Sequence, residues 1–86
     1  MRLWNVNAPI LYVKKGCPYC QAAIDYLDEH HVKYEALDVR SSDALMKQLQ
    51  DVSGQTKTPT LALNGAVLPD FGVEELDEFL RKNAAD

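Results

Sequence analysis

The chain has 86 residues, of which 47% are hydrophobic and 26% charged, with a formal net charge of -4. This length and composition predict one globular domain spanning residues 1–86. The acidic balance leaves no basic footprint for nucleic acid, and no apolar run has the length of a transmembrane helix, so we expect neither nucleic-acid nor membrane partners. The N-terminus lacks the apolar segment of a signal peptide, so we expect a cytoplasmic protein, in which two cysteines are more often catalytic than a structural disulfide.

The first half of the chain predicts a strand, a helix and a second strand. Residues 1–8 have no clear pattern, and Trp4 is expected to pack at a sheet edge. Ile10–Val13 is an unbroken apolar run, typical of a strand covered on both faces. A helix over about residues 17–30 leads to an alternating strand at 32–39, parallel to the first through a right-handed crossover. The apolar stripe of this helix consists of Cys20, Ala23, Ile24 and Leu27.

A second helix is predicted after the second strand. Ser41 or Ser42 can cap its start, and Gly54 can end it. Its apolar stripe consists of Leu45, Leu49 and Val52.

The chain ends with a predicted hairpin and a third helix. The strand Thr60–Leu63 and its antiparallel partner at 66–68 are joined by Asn64-Gly65, which is typical of a type I′ turn. The last helix begins near Gly72 and frays over residues 83–86. Its predicted buried face consists of Val73, Leu76, Phe79 and Leu80. The element order is therefore βαβαββα, a four-stranded mixed sheet with three helices.

The segment Cys17-Pro18-Tyr19-Cys20 lies where the first strand leads into the first helix. Pro18 suits the first helical position, which puts Cys17 at the helix start. Free N–H groups and the positive end of the helix dipole stabilise a thiolate there, and the two preceding lysines act in the same direction. We expect the pKa of Cys17 to fall from about 8.5 to within about 3.5–7.5. Cys17 can then attack a disulfide, and Cys20, pointing inward beneath it, can resolve the mixed disulfide.

A metal site and inert structural cysteines are the alternatives for such a pair. Structural zinc sites need four ligands, and the chain has only these two cysteines. His30 and His31 lie on the order of 15 Å away along the predicted helix. Both are better interpreted as favourable groups at the helix C-terminus. We therefore expect no metal and no bound cofactor.

These residues resemble the glutaredoxin family of the dithiol Cys-Pro-Tyr-Cys type, over roughly residues 10–80. The lysine pair and glycine before Cys17, the Thr58-Pro59 pair before the third strand and the glycine before the last helix all fit this resemblance. It implies an α/β thioredoxin-like fold. It also implies an enzyme in which Cys17 attacks a glutathione mixed disulfide or a protein disulfide, Cys20 resolves, and glutathione is the reducing cosubstrate. The implied partners are glutathione and disulfide-bearing or glutathionylated proteins, and the protein is expected to be a monomer.

The resemblance further implies a groove for glutathione. Lys14 and Gln55 would contact its glycine carboxylate, and Tyr19 would flank the groove. Thr58 would offer its backbone to the cysteine part of glutathione, and Pro59 would be a cis-proline facing the cysteines. The cis form rests on the resemblance, because about 5–6% of X-Pro bonds are cis, and a rigid start to an edge strand is the alternative for Pro59. The γ-glutamyl end would be held by Gly72, Val73 and Glu74.

The chain departs from the family pattern in two places. Glutaredoxins usually show Thr-Val-Pro where this chain has Lys57-Thr58-Pro59. They show two glycines, a small residue and Asp where it has Phe71-Gly72-Val73-Glu74, and Pro69-Asp70 looks like a short insertion before that segment. Thiol exchange does not depend on the second segment, whereas glutathione affinity does. We expect that affinity to be weakened rather than lost.

Two other functions fit the same residues. The chain could be reduced by a flavoenzyme of the thioredoxin-reductase type and serve as an electron donor, which a glutathione-coupled assay would distinguish. It could also be a binding module that holds a [2Fe-2S] cluster between two protomers through Cys17 and external thiols. The proline in the active-site turn and the available Cys20 favour thiol exchange over the cluster.

Overall fold

The computed structural model describes residues 9–63 and 65–83. Its elements follow the predicted order βαβαββα, and the expected fold class is confirmed. They are β1 (Ile10–Val13), α1 (Pro18–Glu29), β2 (Glu35–Asp38), α2 (Asp43–Ser53), β3 (Thr60–Leu63), β4 (Ala66–Pro69) and α3 (Val73–Asn83). The predictions for Trp4 and for the Asn64 turn concern residues outside the described ranges. Of the tail predicted to fray at 83–86, only Asn83 is described, and it is the last residue of α3.

The four strands form one mixed sheet in the order β2-β1-β3-β4. β1 pairs with β2 in parallel, with Val13 opposite Asp38, and the other two pairings are antiparallel. Since β1 and β2 are parallel, their carboxyl ends lie at the same edge of the sheet. The segments after Val13 and after Asp38 therefore lie side by side.

Side chains of β1 alternate between two cores, one on each face of the sheet. Leu11 and Val13 join a cluster that includes Cys20 and Leu27 of α1, whereas Tyr12 joins a cluster with residues of α2. Helices α1 and α3 thus cover one face and α2 covers the other, as the unbroken apolar run predicted. Burying a Leu or Val side chain contributes about 1.5–3 kcal/mol, so this central strand fixes the position of the α1 start that follows it.

The helix ends follow the predicted capping residues. Cys17 is the N-cap of α1, and Pro18 occupies its first turn. The Ser42 hydroxyl oxygen accepts a hydrogen bond from the Ala44 N–H at 3.1 Å and caps α2. Gly54 ends α2 with a φ of 74°, a left-handed conformation that glycine adopts without steric cost.

The observed strands and apolar faces differ from the predictions in detail. Strand β2 spans four residues rather than 32–39 because its partner β1 is only four residues long. Strand β4 extends to Pro69, which an edge strand accommodates. Val52 and Val73 are 39% and 38% exposed and do not belong to the buried faces predicted for them. Each lies in a terminal turn of its helix.

No helix within the described residues is long and apolar enough to cross a bilayer.

Helices α1 and α3 are joined where the Tyr26 hydroxyl, in the last turn of α1, donates a hydrogen bond to Asp77 in the middle of α3. Asp77 also pairs with Arg81 at 2.9 Å, and His30 stacks on the Tyr26 ring at 4.1 Å. The histidine thus lies at the helix end, as predicted, and away from the cysteines.

Candidate active site

Cys17 lies at the turn between β1 and α1. Gly16 has a φ of 88°, so the chain turns sharply there. The Cys17 N–H donates to the Lys14 carbonyl at 3.2 Å, and the Cys17 carbonyl accepts the first helical hydrogen bond, from Gln21, at 3.1 Å. Cys17 is partly exposed, whereas Cys20 is 2% exposed. The structure therefore presents one sulfur to solvent and covers the other, as the spacing predicted.

The pKa of the Cys17 thiol is lowered. Desolvation raises this pKa, but the N–H groups of Cys20 and Tyr19, the Cys20 thiol and the Thr58 hydroxyl outweigh it by favouring the thiolate. The sulfur accepts no side-chain cap hydrogen bond, so the two N–H groups act on it at longer range. The predicted direction is confirmed. The principal lowering cause is the set of polar donors around the helix start, and the preceding lysines are not among the main contributors.

The pKa of the Cys20 thiol is raised. Burial is the largest cause, and the hydrogen bond and the charge of Cys17 raise this pKa further. The Thr58 hydroxyl and the Lys14 backbone act in the opposite direction. Of the two sulfurs, Cys17 is therefore the one present as thiolate at the lower pH.

The loop before β3 places Thr58 against both sulfurs. The Thr58–Pro59 peptide bond is cis, as the resemblance implied, and Pro59 is buried. Gln55 holds this loop from within: its side-chain nitrogen donates to Ser53 Oγ at 2.7 Å and to Thr60 Oγ1 at 3.1 Å, and its oxygen accepts from the Lys57 N–H. The Gln55 amide is thus engaged inside the loop, and it does not line the cavity beside Cys17.

An open cavity of about 350 Å³ lies beside Cys17, and we call it the cationic pocket. The Lys57 ammonium is 3.9 Å from the Asp70 carboxylate, and both side chains are largely exposed. The basic residues that line the pocket are Lys14, Lys15, Arg40 and Lys57. The remaining lining residues are Gly16, Cys17, Thr58 and Asp70. Of the predicted site residues, the pocket brings together Lys14, Cys17 and Thr58.

Other predicted site residues do not line this pocket. Tyr19 is 67% exposed in the first turn of α1. At the start of α3, the Gly72 N–H donates to the Glu75 carboxylate at 2.8 Å, while Val73 and Glu74 are exposed. The Gly72 N–H group is therefore hydrogen-bonded within this helix start, in the manner of a capping box. The described residues contain no group of three or more His, Cys, Asp or Glu side chains that could hold a metal ion.

The sequence prediction missed Arg40, Lys57 and Asp70 in the pocket. Arg40 comes just after β2, and the Val39 N–H donates to the Val13 carbonyl at 2.9 Å. Because the carboxyl ends of parallel strands meet at one edge, this position could have been predicted. Asp70 has a φ of 51°, and its N–H donates to the Pro59 carbonyl at 2.9 Å, so its place depends on the loop around Pro59. No local signal indicates it.

Replacing Thr58 with valine is expected to raise the pKa of Cys17, because valine keeps the shape and removes the hydroxyl donor. The rate of Cys17 alkylation by iodoacetamide, measured against pH with Cys20 replaced by alanine in every protein, should then show its midpoint at higher pH. Thr56→Val is the matched control, since Thr56 is an exposed threonine of the same loop. Equal midpoints in the Thr58→Val and Thr56→Val proteins would contradict the role of the hydroxyl.

A family model described as Glutaredoxin matches residues 10–68. N-acetyl-S-hydroxy-L-cysteine reductase of Bacillus subtilis (strain 168) is 28% identical over 79 residues, which are 87% of this chain and 85% of that protein. The match to this relative therefore includes both the cysteine segment and the β3-β4 region.

Solved structures share the fold. The crystal structure of a thioredoxin-like protein gives a TM-score of 0.77 at 29% identity, covering 84% of this chain and 99% of that one. A buckwheat glutaredoxin crystallised with glutathione gives a TM-score of 0.68 at 22% identity, covering 88% of this chain and 70% of that one. At that identity the second likeness shows the fold alone.

Proposed function

The chain belongs to the glutaredoxin family, and we propose that it reduces glutathione mixed disulfides and protein disulfides, with glutathione as its reductant. Family and fold make it a thiol–disulfide oxidoreductase. The observation that carries the proposed disulfide reduction is the pairing of a partly exposed Cys17, whose pKa is lowered, with a buried Cys20, whose pKa is raised.

The reaction follows from this pairing. The Cys17 thiolate attacks one sulfur of the substrate disulfide, the Cys17–substrate S–S bond forms, and the other substrate sulfur leaves as a thiolate that takes a proton. The Cys20 thiolate then attacks the Cys17 sulfur and releases the second substrate thiol, which leaves a Cys17–Cys20 disulfide. Two glutathione molecules reduce that disulfide in turn and leave as oxidised glutathione.

The surroundings of Cys17 support glutathione as the reductant. Lys14 lines the pocket next to the sulfur and is positioned for a carboxylate. Thr58, which precedes the cis bond to Pro59, lines the same pocket as Cys17, so in this proposal its backbone binds the cysteine part of glutathione. The N–H groups of Val73 and Glu74 in the first turn of α3 have no helical partner and are suited to a second carboxylate. Gln55 acts indirectly in this proposal, through its hydrogen bonds to the Lys57 N–H and the Thr60 hydroxyl, which flank Thr58 in the chain.

The reductant is tested by glutathione-coupled turnover of a glutathione mixed disulfide and of a protein disulfide. We expect turnover with both substrates. Turnover only with a thioredoxin-reductase-type flavoenzyme would reject glutathione as the reductant and leave the disulfide chemistry in place.

A second candidate substrate is a small S-hydroxy cysteine derivative. The relative from Bacillus subtilis is named for such a substrate, and the cationic pocket beside Cys17 is suited to the carboxylate of a cysteine derivative. The Cys17 thiolate would attack the substrate sulfur, the S–O bond would break, and the hydroxide would leave as water after taking a proton. Cys20 would resolve the resulting mixed disulfide as before. Reduction of this substrate would release water and one thiol, whereas reduction of a disulfide releases two thiols.

Replacing Glu74 with glutamine is expected to raise the apparent Michaelis constant for glutathione. Of the two exposed acids in the first turn of α3, Glu75 accepts from the Gly72 N–H, and Glu74 faces the amine of the γ-glutamyl end in this proposal. A rim-exposed ion pair contributes about 0.2–1 kcal/mol, so the rise should not exceed about fivefold. Glu78→Gln is the matched control, since Glu78 is an exposed acid farther along the same helix. An unchanged constant in Glu74→Gln would remove Glu74 from the glutathione site.

A further inference from the structure

The charge of the cationic pocket is opposite to the charge of the whole chain. The chain has 13 acidic and 9 basic residues, yet four of the basic side chains line this one cavity, and Asp70 supplies the single carboxylate among its described lining residues. We propose that the pocket selects disulfides whose arm beside the reacting sulfur carries two or more negative charges. This inference rests on the proposed disulfide chemistry of Cys17.

Most of these cations have no carboxylate of their own. Among residues 9–63 and 65–83, Lys14, Lys15 and Arg40 form no ion pair, and Lys57 forms a long one with Asp70, at 3.9 Å. Like charges crowded into one cavity repel one another, and a bound anion relieves that repulsion. One carboxylate would leave most of this charge uncompensated, whereas a dianionic arm would compensate more of it.

The type and position of the basic side chains point to a compact dianion. A guanidinium binds carboxylate or phosphate groups through two parallel hydrogen bonds, and Arg40 enters the pocket from the β2 side. Lys57 enters from the loop before β3, where its backbone is held by Gln55. Two anionic groups on one short arm can therefore be contacted from two directions while the sulfur faces Cys17.

Asp70 opposes this selection. Its carboxylate is next to Lys57, so an incoming anion competes with it for that ammonium. Asn is tolerated in the left-handed conformation that Asp70 adopts, so Asp70→Asn removes the charge without disturbing the backbone. Removing Asp70 and removing a cation should thus change the selectivity in opposite directions.

The test measures the rate at which the reduced protein reacts with three small symmetrical disulfides. Their arms are mercaptosuccinate with two carboxylates, mercaptopropionate with one, and mercaptoethanol with none. Each rate is divided by the rate with the mercaptoethanol disulfide, so that changes in Cys17 reactivity itself cancel. The wild-type ratio for the dicarboxylate is expected to fall on the order of tenfold in Arg40→Gln and in Lys57→Gln, and to rise in Asp70→Asn. Added salt should weaken every one of these differences.

Lys47→Gln is the matched control, because Lys47 is exposed on α2 and pairs there with Asp51. Its ratios should equal those of the wild type. Ratios that stay the same in Arg40→Gln, Lys57→Gln and Asp70→Asn, or that change equally for one and two carboxylates, would overturn the inference while reduction of the neutral disulfide leaves the proposed function standing. No reaction with any of the three disulfides would reject the proposed function, and the inference with it.

Discussion

Cys17→Ser is expected to reduce glutathione-coupled turnover to the uncatalysed rate, for glutathione mixed disulfides and for protein disulfides alike. The Cys17 sulfur is the accessible one, and the polar donors around the helix start hold its pKa below the ordinary value. A serine hydroxyl is not ionised near neutral pH and cannot replace a thiolate as nucleophile. The measurement is consumption of reduced glutathione, with each substrate at saturation.

The same variant carries its own control for folding. Serine is among the preferred residues at a helix N-cap, and Cys17 is the N-cap of α1. Thermal unfolding of Cys17→Ser should therefore occur at or above the wild-type temperature. Undiminished turnover in a folded Cys17→Ser protein would show that another group is the nucleophile.

Much of the fold follows from signals that act over a few residues. The apolar run Ile10–Val13 predicts a strand covered on both faces, and Leu11 and Tyr12 enter opposite cores. Pro18 marks the start of α1 because its fixed φ suits the first helical turn. Gly54 marks the end of α2 because glycine readily adopts the left-handed conformation that ends a helix. Such signals do not depend on the rest of the chain. The length of a strand, in contrast, depends on the strand that pairs with it. The predicted β2 is longer than the observed one because its pairing stops where β1 stops.

The candidate site could be predicted only where it is local. The cysteine pair lies on one helix start, and its arrangement follows from helical spacing. The inward engagement of the Gln55 amide depends on Ser53, Lys57 and Thr60, which meet only in the folded loop. The Asp70 position depends on a hydrogen bond across the chain to Pro59. A pocket assembled from four segments has a net charge that no single segment predicts.

The raised pKa of Cys20 favours attack by Cys17 on the substrate first and attack by Cys20 on the mixed disulfide second. In the reduced protein, the hydrogen bond and the charge of Cys17 help to raise the Cys20 pKa, although burial is the largest cause. Once Cys17 is in a mixed disulfide, its sulfur carries no negative charge, so the charge contribution disappears and the hydrogen bond that it accepts from the Cys20 thiol weakens. Cys20 then loses its proton more readily, at the stage at which its thiolate is needed. Since Cys20 must be deprotonated to attack, the resolving step should accelerate as the pH rises.

Cys20→Ser is therefore expected to separate the reduction of glutathione mixed disulfides from the reduction of protein disulfides. Reduction of a small glutathione mixed disulfide should persist, because a second glutathione can attack the Cys17 mixed disulfide from solution. Reduction of a protein disulfide should fall roughly hundredfold or more, because the resolving attack loses the advantage of an oriented intramolecular thiol. The stalled Cys17–protein disulfide should accumulate and be visible by mass spectrometry of the intact complex. Because Cys20 is 2% exposed and a buried hydroxyl is costly, Cys20→Ala serves as the matched variant. Protein-disulfide reduction at the wild-type rate in both variants would show that Cys20 does not resolve the mixed disulfide.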